Sequence, residues 1–365
     1  MLIRFNGMQE KDREGTELVY RNTPHAGARR NSRPRHSAST CNNPWQRSGQ
    51  GVASHAMRLW TLGRLFFSAG TNAFFPLLRR FTQVRFKAHL TGADMNTVIN
   101  LQRYPLDRPG SEEWIALVEH ARAALARNGM FSLEDFIQED NVRAAAQQIQ
   151  PTMDAESHTH KRSHNIYFRP EIPELAADHP ALKTVETVSH TLCADQLKNS
   201  LVTSVYEYPP LVAFLSAVME KPALYVMADT LARVNVMSYR EGETLNWHFD
   251  RSEFTTTLML QSPEAGGEFE YRTDLRTADD PNYDGVADLL NGCDPDVKTL
   301  RLSAGTLNVF RGKNTAHRVT PVRGHRERMV AVFSYYEKPG VMFTPEEQTG
   351  FYGRASQPTA ANTAA

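Results

Sequence analysis

Two hydrophobic periods divide the chain. Between Ser111 and Gly129 the apolar positions Trp114, Leu117, Val118, Ala121 and Leu125 share one helical face. Ser111 suits the N-cap, Glu112 and Glu113 the positive end, and Gly129 the closure. A second helix is predicted from Leu133 toward Ile149, stopped by Pro151. The polar stretch Ser157 to Asn165, which holds His158, His160 and His164, reads as a loop leading into Ile166-Tyr167-Phe168. Helical spacing returns from Asp178 to Met219, broken at Pro209-Pro210. The pattern predicts a helical layer.

Beyond Pro222 the period becomes two. Short alternating runs occupy Leu224 to Met227, Arg233 to Tyr239, Phe254 to Gln261, Gly267 to Tyr271, Lys298 to Leu302, Leu307 to Phe310 and Arg328 to Tyr335. No helix-length segment separates most of them, so they predict an antiparallel barrel or double-sheet jelly roll rather than a parallel sheet. The longest interruption, Asp274 to Asp296, is acidic and carries Pro281, Gly285 and Gly292, which predicts an excursion over the barrel mouth.

Composition sets limits on this picture. With 365 residues, 41% of them hydrophobic, the chain can bury one large core or two modest ones. Its formal net charge is zero, so no global field draws in nucleic acid or an anionic membrane, and neither is an expected partner. Cys41, Cys193 and Cys293 form neither a CxxC metal pair nor a disulfide framework, which favours a reducing, cytoplasmic setting.

The zero balance hides an asymmetry: residues 1 to 94 hold 15 Lys and Arg against 5 Asp and Glu. No acidic residue falls between Leu18 and Ala93. Such material is predicted to stay outside any core. Its most apolar part, Leu59 to Leu78, is broken by Gly63, Arg64, Gly70 and Pro76 and is no spanning helix. Three readings stand for it: an organellar transit segment, a basic nucleic-acid arm, or sequence upstream of a true start at Met95. The change of composition at Asp94-Met95 favours the last.

The chemistry is concentrated in Asn246-Trp247-His248-Phe249-Asp250. On an extended segment residues two apart share a face, so His248 and Asp250 present an imidazole and a carboxylate together. His317, soon after the run Gly305 to Phe310, can supply a third ligand from a neighbouring strand. Two histidines and one carboxylate leave open metal positions, as in the facial triad of non-haem Fe(II) oxygenases; zinc with the same ligands stays open. Arg326 and Arg328 begin the apolar strand Met329 to Phe333, where a buried cation needs an anion. A dicarboxylate held bidentately meets that need. Period-two spacing places both arginines on one face and does not choose between them.

Taken together, His248-x-Asp250, Gly266-Gly267-Glu268-Phe269, Gly305-x-Leu307-x-Val309-Phe310, His317-Arg318-Val319-Thr320-Pro321-Val322 and Gly324-x-Arg326 resemble the core of the Fe(II)- and 2-oxoglutarate-dependent dioxygenases. Within that superfamily the stretches 246–271 and 317–340 look most like the group of free amino acid hydroxylases and radical halogenases. The resemblance implies a mostly β fold with α elements, a double-stranded β-helix (jelly roll) core with a supporting N-terminal helical layer. It implies His248, Asp250 and His317 on Fe(II), 2-oxoglutarate on Arg326 with Arg328 as its rival, and O2 as oxidant. Halogenating members carry a small residue in place of the metal carboxylate; here Asp250 is present, so hydroxylation of a small-molecule substrate is the expected outcome.

The resulting division is a basic extension at 1–94, the helical N-terminal part of the catalytic domain at 95–222, the double-stranded β-helix at 223–342 and a tail at 343–365. Arg162, His164, Asn165, Trp247 and Arg251 are candidates for substrate contact, each with an ordinary loop or ion-pair role as the alternative. Other functions remain: hydroxylation of a peptidyl or carrier-bound substrate, a zinc hydrolase, or a barrel that only binds a small acid. A zinc hydrolase would have no use for the arginine after His317.

Overall fold

The computed structural model describes residues 92–356. The predicted basic extension, up to residue 91, and the end of the tail from 357 lie outside the described residues.

The helices are α1 (Gly92–Val98), α2 (Glu112–Asn128), α3 (Glu139–Glu156), α4 (Leu201–Tyr206), α5 (Pro209–Val218), α6 (Tyr283–Leu290) and α7 (Pro345–Tyr352). The N-terminal strands are β1 (Met130–Leu133), β2 (His158–His164), β3 (Val185–Leu192) and β4 (Tyr225–Val226). Then follow β5 (Val234–Tyr239), β6 (Leu245–His248), β7 (Thr255–Gln261), β8 (Ala265–Gly266), β9 (Phe269–Arg272) and β10 (Lys298–Leu300). The last are β11 (Leu307–Phe310), β12 (Ala316–Val319), β13 (Val322–Arg323), β14 (Arg328–Phe333) and β15 (Tyr335–Tyr336).

Two antiparallel sheets form the double-stranded β-helix. The larger has the order β1-β11-β7-β14-β5-β3-β2 and the smaller β10-β9-β12-β6, with the short pairs β13-β8 and β15-β4 beside them. Alternation along the larger sheet sorts its two faces. Leu258, Leu260, Leu307, Val309, Met329, Ala331 and Phe333 join the apolar residues of α2 to α5 in the main core, while Asn308, Phe310, Arg328 and Val330 turn between the sheets. Smaller-sheet residues Leu245, Phe269, Tyr271 and Val319 close that inner layer.

The first helix forms as read. Ser111 accepts from the Trp114 N–H, and Gly129 ends the helix at φ +71° with its N–H on the Leu125 carbonyl. The helical layer otherwise needs correction, because the N-terminal part gives three strands to the larger sheet. The run predicted to begin a helix at Leu133 is β1, paired with β11, and α3 starts only at Glu139. It runs through Pro151, since Val142, Ala145, Ile149 and Met153 continue one buried face past it. The predicted histidine loop is β2, paired along its whole length with β3. Its apolar signal is missing because its inward positions are His160, Arg162 and His164, which line a cavity of mixed polar and apolar residues, while Thr159, Lys161 and Ser163 are exposed. β3 itself lies inside the stretch read as helical.

The acidic excursion is also more regular than expected, for it contains α6, capped by the Asn282 side chain. Val286 and Leu289 of that helix pack with Ile166, Ala181, Trp247 and Phe249. Of its acids, Asp294 and Asp296 pair with Arg272 at 2.9 and 3.2 Å. Cys193 is a free, buried thiol, whereas Cys293 is disulfide-bonded.

Candidate functional site

β6 and β12 lie side by side, and their register sets His317 directly opposite His248. Asp250 follows β6 and turns toward both rings. One ligand atom from each of the three residues lies within 4.8 Å of the others, and all three residues are buried. The Asp250 Oδ1 atom is 3.4 Å from His248 Nε2 and 3.5 Å from His317 Nε2.

Backbone carbonyls fix both rings. His248 Nδ1 is 2.7 Å from the Asn246 carbonyl and His317 Nδ1 is 3.0 Å from the Thr315 carbonyl. Each Nδ1 therefore carries the proton and donates it, which leaves the Nε2 lone pairs directed at the shared space. On Asp250, Oδ2 accepts from the Thr255 hydroxyl at 2.6 Å, and the backbone N–H donates to the Gly312 carbonyl at 2.9 Å. The opposite oxygen, Oδ1, and His248 Nε2 are buried without any hydrogen-bond partner. Buried polar atoms left unpaired are costly; a divalent cation between them removes the cost, so the residues present fit a metal ion with open positions.

Burial drives the His248 imidazole down to about 4, with the neighbouring His317 acting in the same direction and Asp250 and Asn246 opposing. Burial alone would raise the Asp250 carboxyl, but the two imidazoles hold it well below the ordinary range. A neutral imidazole and an ionised carboxylate are the states a metal requires.

The triad opens into a cavity lined by Tyr239, Leu245, Thr255, Thr257, Phe269, Asn308, Phe310, Arg328 and Val330, among others. Asp250 supplies the one carboxylate among the lining residues. Arg328 is 4% exposed. Its Nε donates to the Gly267 carbonyl at 3.1 Å, its guanidinium lies 5.8 Å from the Tyr239 ring centre, and no carboxylate pairs with it among the described residues. Burial pushes it down to about 10, with Tyr239 opposing.

Arg326 is placed elsewhere. It is exposed in the bend before β14 and donates to the Ser262 and Pro263 carbonyls. Strand alternation does not extend to it, which is why the expectation of a shared face fails and why Arg326, favoured on the resemblance, does not reach the cavity.

The five proposed substrate contacts separate. Arg162 and His164 line a second cavity with His160, Thr187, Ser189, Asn235 and Tyr352, and this cavity shares Met237, Leu245 and Val332 with the first. Phe168 links them to the His248, Asp250 and His317 group: the Arg162 guanidinium sits 4.6 Å from its ring centre, His164 stacks on it at 4.4 Å, and its ring stands edge-on to His248 at 6.1 Å. Asn165 builds the turn instead, its Oδ1 accepting from the Tyr167 and Arg169 N–H groups. Trp247 points away from His248 into the cluster under α6, with Arg318 across its ring at 5.0 Å. Arg251 reaches Glu347 of α7 at 3.5 Å.

Thr255, Gly312 and Asn308 were missed. A β-carbon at Gly312 would overlap the Asp250 carboxylate, so that position admits only glycine beside an undisturbed Asp250. The signal that could have found Asn308 is an amide among the apolar residues Leu307, Val309 and Phe310 on a buried strand.

A family model described as Halogenase D matches residues 115–342. No curated protein matches the chain. Similar solved structures include an oxidoreductase of the 2OG-Fe(II) oxygenase family from Burkholderia pseudomallei, at 14% identity and TM-score 0.40, covering 64% of this chain and 94% of that one. A Pseudomonas putida prolyl-4-hydroxylase is similar at 16% identity and TM-score 0.38, with 60% and 98% covered. A non-haem alpha-ketoglutarate-dependent epimerase of nogalamycin biosynthesis is similar at 14% identity and TM-score 0.40, with 61% and 83% covered. These are distant likenesses.

Proposed function

The chain belongs to the Halogenase D family, and we propose that it is an Fe(II)- and 2-oxoglutarate-dependent oxygenase that hydroxylates an unactivated C–H bond of a small substrate, a free amino acid, rather than halogenating it. The observation that carries the choice is Asp250. Where the halogenating pattern has a small residue, this chain has a buried carboxylate, tied by Thr255 and aimed between His248 and His317. That carboxylate occupies the position a halide would need.

His248, Asp250 and His317 would hold the iron, and Arg328 the distal carboxylate of 2-oxoglutarate. When bound, iron, 2-oxoglutarate and O2 supply the oxidation, with succinate and CO2 as coproducts. The chain's own task is placement and exclusion of water. The Nδ1 bonds to Asn246 and Thr315 fix the imidazoles, Thr255 fixes the carboxylate, and the apolar wall of Phe269, Phe310, Val330 and Val332 dries the chamber. Arg162 and His164, on the adjoining cavity, would receive the substrate's carboxylate or hydroxyl, and Phe168 would set its distance from His248.

A buried Arg328 without a protein carboxylate favours this reading over a zinc hydrolase, since an uncompensated interior cation calls for an anionic ligand; turnover separates it from a barrel that only binds an acid. The test is a panel of free amino acids with Fe(II), 2-oxoglutarate and O2, read by mass spectrometry. A product heavier by one oxygen, formed with stoichiometric succinate, supports it; chlorinated product in the presence of chloride contradicts it.

A further inference from the structure

Asn308 stands inside the chamber with a donor that nothing satisfies. It is 1% exposed on β11, and its Nδ2 is buried without a hydrogen-bond partner. The carboxamide is nevertheless oriented: Oδ1 accepts from the Ser132 hydroxyl of β1 at 2.8 Å. With Oδ1 taken by that hydroxyl, the NH2 end is the one left unpaired. Asn308 lies in register with Thr257 of β7, and Thr257 with Val332 of β14. All three line the cavity that also holds the metal cluster and Arg328.

An amide carries a desolvation cost when its NH2 is buried unpaired. The cost disappears when an acceptor enters the cavity. Among the described residues no protein group accepts from that NH2, so the acceptor would come from a ligand. Since Arg328 is equally in need of an anion, one acid lying between them satisfies both.

We propose that Asn308 is a cosubstrate-binding residue, donating its Nδ2 hydrogen to a carboxylate oxygen of 2-oxoglutarate, and that Ser132 is the positioning residue that holds the amide in that sense. This inference rests on the assignment of 2-oxoglutarate to the chamber made above. It also gives β1 a role beyond closing the sheet edge, since the N-terminal strand then supports the binding of the cosubstrate.

The test uses the full chain, loaded anaerobically with Fe(II) and titrated with 2-oxoglutarate, with iron affinity and thermal midpoint measured separately. Losing one hydrogen bond to a charged group weakens binding about 10- to 100-fold, and this is the change expected in the 2-oxoglutarate Kd of Asn308→Leu, with iron affinity unchanged. Ser132→Ala keeps the donor but frees its orientation, and a smaller rise of a few fold is expected. If the leucine variant does not fold, Asn308→Ser takes its place, being smaller and still polar. A Kd within about twofold of the parent in the folded Asn308 variant, with only the thermal midpoint lowered, overturns the proposal and leaves Asn308 a structural partner of Ser132. Failure of the underlying reading is distinct: the parent chain itself would then bind no 2-oxoglutarate.

Discussion

His317 is the antiparallel partner of His248: β12 and β6 set their Cα atoms opposite each other, and the two imidazole ring centres stand 4.1 Å apart. Residues separated by 69 positions in the sequence thus meet through one strand pairing. Asp250, two residues beyond His248, completes the group because the Gly312 carbonyl and the Thr255 hydroxyl turn it inward.

Replacing either histidine tests the proposed iron ligands. His248→Ala and His317→Ala are expected to lose iron binding and turnover while remaining folded, measured by metal analysis after dialysis and by circular dichroism. Asp250→Gly is expected to lose hydroxylation and, in chloride, to form a trace of halogenated product, measured by mass spectrometry.

The two arginines are expected to differ sharply. Truncating a buried, paired cation costs about 2 kcal/mol or more, so Arg328→Ala should raise the 2-oxoglutarate KM at least about thirtyfold. Arg326→Ala, at an exposed bend, should stay within about twofold of the parent. Steady-state kinetics over a 2-oxoglutarate series measures both, and the reverse order would return the role to Arg326.

Support of the metal carboxylate can be weighed by itself. Loss of an outer partner of a ligand typically costs about 10- to 100-fold in metal affinity, and Thr255→Val is expected to fall in that range. Gly312→Ala should do the same by steric displacement of Asp250. Competition with a coloured chelator gives the affinities.

The histidines of β2 make the fold acid-sensitive. Burial, with the nearby Arg162, His158 and His164 charges, lowers His160 to about 4, below its ordinary value near 6.5. Between those values the unfolded chain binds a proton that the folded chain refuses, so stability rises with pH there and is lost as pH falls. The urea midpoint is expected to drop between pH 6.5 and 4.5, and His160→Gln should remove part of that drop. A pH-independent midpoint would contradict the assignment.

The legibility of the chain follows from what each segment faces. Strands such as β7, β11 and β14, which set Leu258, Leu260, Leu307, Val309, Met329 and Ala331 against the helical layer, carry enough apolar signal on that face to be readable. β2 was not, because one side meets solvent and the other presents His160, Arg162 and His164 to a cavity, so its hydrophobic period vanishes. The triad was legible because HxD and a distal histidine carry the signal locally, with β6 and β12 needed only to join them. Arg328 over Arg326 was not legible: the strand was read from Arg328, but that the preceding bend turns Arg326 to the Ser262 and Pro263 carbonyls depends on tertiary placement. Asn308 depends on β1, a strand whose pairing with β11 spans the chain.

One measurement bears most directly on the central claim. Full-length protein is loaded anaerobically with Fe(II), 2-oxoglutarate is added, and the visible spectrum is recorded for the charge-transfer absorption of a 2-oxo acid chelated to iron. The band is expected in the parent and in Arg326→Ala, and absent in His248→Ala. A folded parent that binds iron yet shows no band at saturating 2-oxoglutarate would contradict the assignment of this chamber to an oxygenase.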